Sequence, residues 1–561
     1  MKPAFRQSPI LGIFAAAFFQ CLEIAAAAVE TPEQGQYFAK KAYEPSPLPT
    51  FENTKALLPS PIYDANPGYV AMYWKTWELA FRNFHEPKPG SGFVSQYIDA
   101  AFNQCTFQWD SCFMSMFCNT AYPLVPGISS LDNFYAKQHA DGEICRELIR
   151  DTGKDYKNDI NTKGEPFYST WGYHVGTSGP KKAPIAYRGR PAPAKPSKLT
   201  LDAMNHPLFA WAEMEFYRTT GDKTRLALVY PSLVKYYEAL REYLRQGNGL
   251  YMTDWASMDN APRNPYLAGG GCGVDISCEM AFFARDMAQM AGLVGHGEDA
   301  TRFEKDAKEL DEIINRLMWD PKRNFYFDLT AKDTRAPVKS AAGFWALIAG
   351  VASKEQAAAL SAELENPKTF NRLHPVPTLS ADEPGYSPLG DYWCGASWSP
   401  TTTMVIRGLE KYGYAEQARN IALKDLDVVW QVFEKTGTVW ENYAPDFVAP
   451  GKRHGGKLVV RDLVGWTGLQ PILFLLEYGV GLKPDAPANT LTWDIRSDKR
   501  VGCERYRFGG HVVDLLATPA AGGWTLSVKS DGAFRLVVKT GGKEQAFDIR
   551  QGEQKLIGNS L

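Results

Sequence analysis

Neither sign of charge dominates this 561-residue chain: 61 Lys and Arg stand against 63 Asp and Glu, a formal net charge of −2. Neutralising a phosphate backbone draws on a cationic excess, so nucleic acid is excluded as the expected partner. The eight histidines include no pair at zinc-ligand spacing, and neither a metal nor another cofactor is expected. Nine cysteines over this length match no zinc ribbon and no disulfide-dense small domain. The glycine run at 269–273 lacks the Lys-Ser/Thr of a phosphate loop. No fixed repeat length stands out, which counts against a stacked helical solenoid. Past the N-terminal segment there is no long apolar run, so no stable membrane insertion of the mature chain is expected.

The N-terminal segment is the exception. Lys2 and Arg6 precede a short apolar run at 10–22, and Ala26-Ala27-Ala28 follows. That order is an export signal, and the run is too short to span a bilayer comfortably. Residues 1–28 are therefore expected to be removed, leaving a periplasmic or secreted chain that starts near Val29. Export permits disulfides among the eight cysteines left after Cys21 is removed, but their spacing pairs none of them.

Residues 29–60, rich in Pro and polar side chains, read as an extended arm. From Tyr69 the chain alternates helical patterns with loops dense in Trp, Gly and Pro. Met280, Phe283, Ala284, Met287, Ala291 and Val294 form one stripe at helical spacing. Phe303, Ala307, Leu310, Ile314 and Leu317 form a second, and the short break at 295–297 makes the two helices antiparallel neighbours. Similar segments recur at 208–219, 230–245, 340–352, 354–364, 401–412, 414–432 and 466–478. Helices alternating with long aromatic loops predict a mainly α fold, an α/α toroid over 61–483. Beyond it, 524–528 and 534–538 are β-rich around Ser530-Asp531-Gly532, a hairpin signal that predicts a small C-terminal β-sandwich domain over 484–561.

Two loops carry the chemistry. In Thr-Asp-Trp-Ala-Ser-Met-Asp-Asn-Ala-Pro-Arg (253–263), Pro262 prevents helical continuation and leaves Asp259 on a loop between Trp255 and Arg263. Alone, this could be an Asx-turn satisfying nearby amides. A second carboxylate, Glu441 in Thr-Val-Trp-Glu-Asn-Tyr-Ala-Pro-Asp (438–446), has the same kind of aromatic setting. A pair of carboxylates is what glycoside hydrolysis requires, and indole faces suit the apolar side of a sugar ring. Cys394, beside Trp393, has no histidine placed to activate it and reads as a small buried residue.

Several further segments resemble, in order, the signatures of the inverting (α/α)6-barrel glycosidases: processing α-glucosidase I, trehalase and mannosylglycerate hydrolase. They are 107–113 (FQWDSCF), 138–147 (QHADGEICRE), Asn205-His206-Pro207, 257–263 (SMDNAPR), Tyr392-Trp393 to Trp398, and 464–468 (VGWTG). The resemblance covers roughly 69–482. His206 stands where the family has Pro, and the acid loop lacks the family's Gly. The resemblance implies Asp259 as general acid and Glu441 as general base. With Trp109, Asp110, Gln138, Arg146, Trp255, Arg263 and Trp398 as sugar-site residues, and Trp440 and Trp466 as weaker ones, the expected activity is release of an α-linked glucose- or mannose-type residue from an oligosaccharide or glycoside. A lyase or epimerase on the same fold, or a non-catalytic glycan-binding protein, stays open at this point.

Overall fold

The computed structural model describes residues 41–559, apart from 101, 158, 170–182, 205, 255–257, 454 and 521–522. The export signal at 1–28 and the sugar-site candidate Trp255 lie outside the described residues. Of the arm, 41–50 has no regular structure, and a four-residue helix α1 (Phe51–Thr54), capped by the Thr50 hydroxyl, follows it.

The body is helical. Its elements are α2 (Pro67–Phe81), α3 (Gln108–Asn119), α4 (Ser129–Ala136), α5 (Phe209–Thr220), α6 (Lys223–Leu244), α7 (Asn264–Leu267), α8 (Val274–Val294), α9 (Gly297–Leu317), α10 (Trp345–Ala349), α11 (Lys354–Glu365), α12 (Ser399–Lys411), α13 (Ala415–Thr436) and a wide-turned α14 (Leu469–Val480). The stripes at 280–294 and 303–317 are the packed faces of α8 and α9, which lie against each other as the short break requires. Gly295, at φ 89°, takes the left-handed position that ends α8 and turns the chain into α9.

The helices pack in two layers. One set is in mutual contact in the order α3, α5, α8, α10, α12, α14 and back to α3. The other set lies on it: α6 on α5 and α8, α9 on α8, α13 on α12 and α14, α2 on α13 and α14, and α4 on α3. Burial follows this division. All twelve residues of α3 and all twelve of α14 are buried, whereas α9 buries only Phe303, Ala307, Leu310, Ile313 and Ile314. A helix apolar on one stripe is a surface helix, and one buried all round belongs inside.

Two sheets follow. Number the strands β1 (Ser60–Tyr63), β2 (Leu482–Asp485), β3 (Thr490–Asp494), β4 (Val501–Phe508), β5 (His511–Ala520), β6 (Gly523–Ser530), β7 (Phe534–Thr540), β8 (Lys543–Ile549) and β9 (Gly552–Asn559). One sheet has the order β1-β4-β5-β6-β9 and the other β2-β3-β7-β8. The hairpin expected at Ser530-Asp531-Gly532 instead passes the chain between sheets, because β6 pairs with β5 and β9 while β7 pairs with β3 and β8. The β region also recruits Ser60–Tyr63 from the N-terminal side, antiparallel to β4.

Candidate active site

The N-terminal ends of the inner helices carry most of the candidate residues. Trp109 and Asp110 lie in the first turn of α3, Trp398 caps α12, Trp466 stands just before α14, and the Asp259 loop precedes α7 and α8. The indoles meet. Trp393 stacks on Trp398 with ring centres 4.1 Å apart, Trp398 lies 5.5 Å from Trp466, and Trp109 is 6.4 Å from both Trp393 and Trp466. Trp109 has a buried ring N–H with no partner among the described residues.

Glu441 is fully buried at the edge of this cluster. Its Oε1 accepts from the Tyr392 hydroxyl at 2.9 Å, and its Oε2 accepts from Arg453 Nη2 and the Val460 N–H, both at 3.0 Å. The backbone is fixed as firmly: the Glu441 N–H donates to the Val460 carbonyl at 2.9 Å, and the Glu441 carbonyl accepts the Trp466 indole N–H at 2.7 Å. A carboxylate offers about four acceptor positions. Three are filled by protein donors, which leaves one for a water.

Asp259 is treated differently. It is partly exposed, and among the described residues no donor reaches its carboxyl. Burial pushes that carboxyl up to about 7; Arg146 opposes the shift, and Glu147 and Glu441 add to it. Such a group holds a proton near neutrality. Tyr392, whose hydroxyl donates to Glu441, is raised by burial, with the charges of Asp259 and Glu441 adding to the shift.

Asp110 and Arg146 line the same region without pairing. Burial holds the Asp110 carboxyl well above its ordinary range, with Asp99, Glu147 and Asp259 adding to the effect. Arg146 bridges instead to Glu147 at 2.9 Å and Asp159 at 3.3 Å, and burial lifts Glu147 to about 7. Trp440 sits next to Glu441, with its indole N–H donating to the Thr436 hydroxyl at 3.1 Å.

Two expected sugar contacts have other work. All five N–H groups of Arg263 are committed: to both oxygens of Asp275, to both oxygens of Asp328 at 2.8 and 2.5 Å, and to the Met258 sulfur at 3.6 Å. The side chain is fully buried, so it anchors the acid loop and offers no donor to a sugar. Gln138 donates to the Gly142 and Ser232 carbonyls at 3.0 and 2.8 Å, tying its loop to α6. Cys394, expected to be buried, is only partly so, and its thiol donates to the Asn260 carbonyl at 3.3 Å.

Residues 192–455 match the mannosylglycerate hydrolase MGH1-like glycoside hydrolase domain. This chain is a glycoside hydrolase. The hydrolase is 29% identical to a mannosylglycerate hydrolase of Rubrobacter radiotolerans over 34% of its own length and 41% of that relative. It is 31% identical to a cytosolic neutral trehalase of Neurospora crassa over 26% of its length and 20% of the relative. It thus aligns with less than half of each of these curated relatives. In fold the hydrolase is similar to the GH63 mannosylglycerate hydrolase of Thermus thermophilus solved with glucose, with a TM-score of 0.52 and 18% identity over 72% of this chain and 99% of that one. Among the described residues of the hydrolase, no helix is long and apolar enough to cross a membrane, and no group of three or more His, Cys, Asp or Glu could hold a metal ion.

Proposed function

We propose that this hydrolase is an exported, inverting α-glycosidase, built as an (α/α)6 toroid with a C-terminal β-sandwich, that releases an α-linked glucose- or mannose-type residue. The unequal treatment of the two carboxyls carries the reading. Asp259 keeps its proton up to about pH 7, and Glu441 is held as an acceptor by three donors.

Protonated Asp259 gives its proton to the glycosidic oxygen as the bond from that oxygen to the anomeric carbon breaks. A water on the opposite face of the ring loses its proton to Glu441 while its oxygen bonds to the anomeric carbon. The sugar leaves with inverted configuration, and proton exchange with solvent resets both carboxyls. Inversion calls for roughly 6.5–9.5 Å between the two carboxyls, room for that water. Trp393 and Trp466 supply apolar ring surface for the sugar, with the fully buried Trp398 packed behind Trp393, and the Asp110 carboxyl hydrogen-bonds its hydroxyls. The similarity to a mannosylglycerate hydrolase and a trehalase supports the choice of a mannosyl or glucosyl group.

Proton NMR of the mature protein with a panel of α-glucosides, α-mannosides, trehalose and glucosyl disaccharides tests the proposal. The expected result is early appearance of a β-anomer from one member. Asp259→Asn and Glu441→Gln should each lower that rate by roughly 10³-fold or more. Early release of the α-anomer with no β-anomer beside it would refute inversion, and full activity in either variant would refute its assigned role.

A further inference from the structure

Asn260 directly follows the proposed acid, yet its side chain is spent on another loop. Its Nδ2 donates to the Asp391 carbonyl at 3.0 Å, and its Oδ1 accepts the Trp393 N–H at 2.8 Å. Its own carbonyl accepts the Cys394 thiol. Three contacts from one residue thus grip the turn at 391–394.

That turn is strained. Asp391 and Tyr392 have φ of 25° and 61°, successive left-handed positions in residues that carry side chains. Such a conformation persists only where the surroundings over-determine it. Besides Asn260, the Tyr392 N–H donates to the Lys452 carbonyl at 2.6 Å, its carbonyl accepts the Trp398 indole N–H at 3.4 Å, and its ring meets Trp398 edge-on at 4.9 Å. The strained conformation delivers the Tyr392 hydroxyl to Glu441.

We infer that Asn260 and Tyr392 are positioning residues forming one brace, through which the acid loop sets the place of the base. The inference rests on the roles given above to Asp259 and Glu441. An inverting site needs its two carboxyls at a spacing that admits one water. Arg263 holds one loop, the Val460 and Trp466 contacts hold the other, and the 391–394 turn links the two. With the brace, displacement of the acid loop moves the 391–394 turn and, through the phenol, Glu441.

The test compares kcat and KM on the cleaved glycoside and on the α-glycosyl fluoride of the same sugar, whose fluoride departs without a proton. Tyr392→Phe should lower kcat roughly 10²-fold with KM within about twofold. On the fluoride, Asp259→Asn should recover most of its rate, whereas Tyr392→Phe, acting through the base, should not. Asn260→Ala should cost roughly tenfold. The double variant should be no slower than Tyr392→Phe alone, where independent effects would multiply to roughly 10³-fold. Wild-type kcat in Tyr392→Phe or Asn260→Ala, or multiplied losses in the double variant, would overturn the brace. Full activity in Asp259→Asn or Glu441→Gln would instead overturn the roles it rests on. Should Tyr392→Phe fail to fold, Asn260→Ala keeps the phenol and carries the test: an unchanged rate on the fluoride refutes the brace.

Discussion

The carboxyls of Asp259 and Glu441 both sit among many hydrogen bonds, but those bonds are arranged in opposite ways. Around Glu441 the donors go straight to the carboxylate oxygens. Around Asp259 they go everywhere else: Arg263 is locked between Asp275 and Asp328, Asn264 donates to the Met258 and Asp259 backbone carbonyls at 2.7 and 3.1 Å, and Asn260 reaches across to Asp391. The physical reason is the proton. A donor on a carboxylate favours its ionised form and would strip an acid of what it must give. A base needs those donors, and an acid has to be positioned by its neighbours instead.

The largest expected effect comes from removing the anchor of the acid loop. Arg263→Met leaves Asp275 and Asp328 buried without their countercharge, a loss of about 3–5 kcal/mol, read as a fall in the urea midpoint together with a fall in kcat. An unchanged midpoint would mean the loop is held by something other than this ion triad.

The proton itself is tested by pH. With the Asp259 carboxyl at about 7, kcat/KM should fall on the alkaline side around neutrality, and Asp259→Asn assayed on a glycosyl fluoride should lack that limb. Stability should follow the same group. Its folded value is raised above the unfolded value of about 3.9, so its contribution is full below about pH 4 and is lost as pH rises to about 7. Asp259→Asn should therefore raise Tm more at pH 8 than at pH 5. An equal change at both pH values would show that the carboxyl is not held protonated.

A smaller effect is expected at the base's backbone. Trp466→Phe removes the indole N–H that fixes the Glu441 carbonyl, a loss of about 1 kcal/mol, and kcat should drop about fivefold on that energy scale. The smallest change in rate should come from Ser353→Ala, which breaks the capping box at the start of α11, a helix that belongs to neither loop. It should cost about 1 kcal/mol in stability and leave kcat unchanged. A lowered kcat there would mean that any loss of stability reaches the site, and the contrast between the loops would lose its meaning.

What could be read from sequence tracks where each helix sits. Helices α5, α8, α9, α11, α12, α13 and α14 were legible within a few residues because apolar spacing or flanking punctuation marked them. Helix α6 begins at Lys223, well before the expected 230, since Pro231 lies inside it and masks the first turns. Helix α3 gave no periodic signal because every side chain in it is buried. The segment expected as a helix at 340–352 is only α10 after a short tight turn. At the site, both carboxyls and the Trp cluster were visible as residue types on aromatic loops. Arg263 was misread because its partners, Asp275 and Asp328, are supplied by other segments. Tyr392 was named only within a motif, since nothing in a sequence announces a left-handed tyrosine. Asn260 was overlooked beside the acid because its partners lie far along the chain.

Strand β1 ties the start of the described chain to the sheet that contains β4. Ser60–Tyr63 forms the edge next to β4, and Arg505 donates to the Leu58 carbonyl across a sequence separation of 447. On the ribosome the strand emerges early and its partner late, at about 5–20 residues per second. For tens of seconds the sheet edge is made but has nothing to pair with. Completion of the C-terminal sheet is thus a report that the whole helical body has been synthesised, and a chain cut short anywhere in that body would carry an unpaired strand for quality control to find.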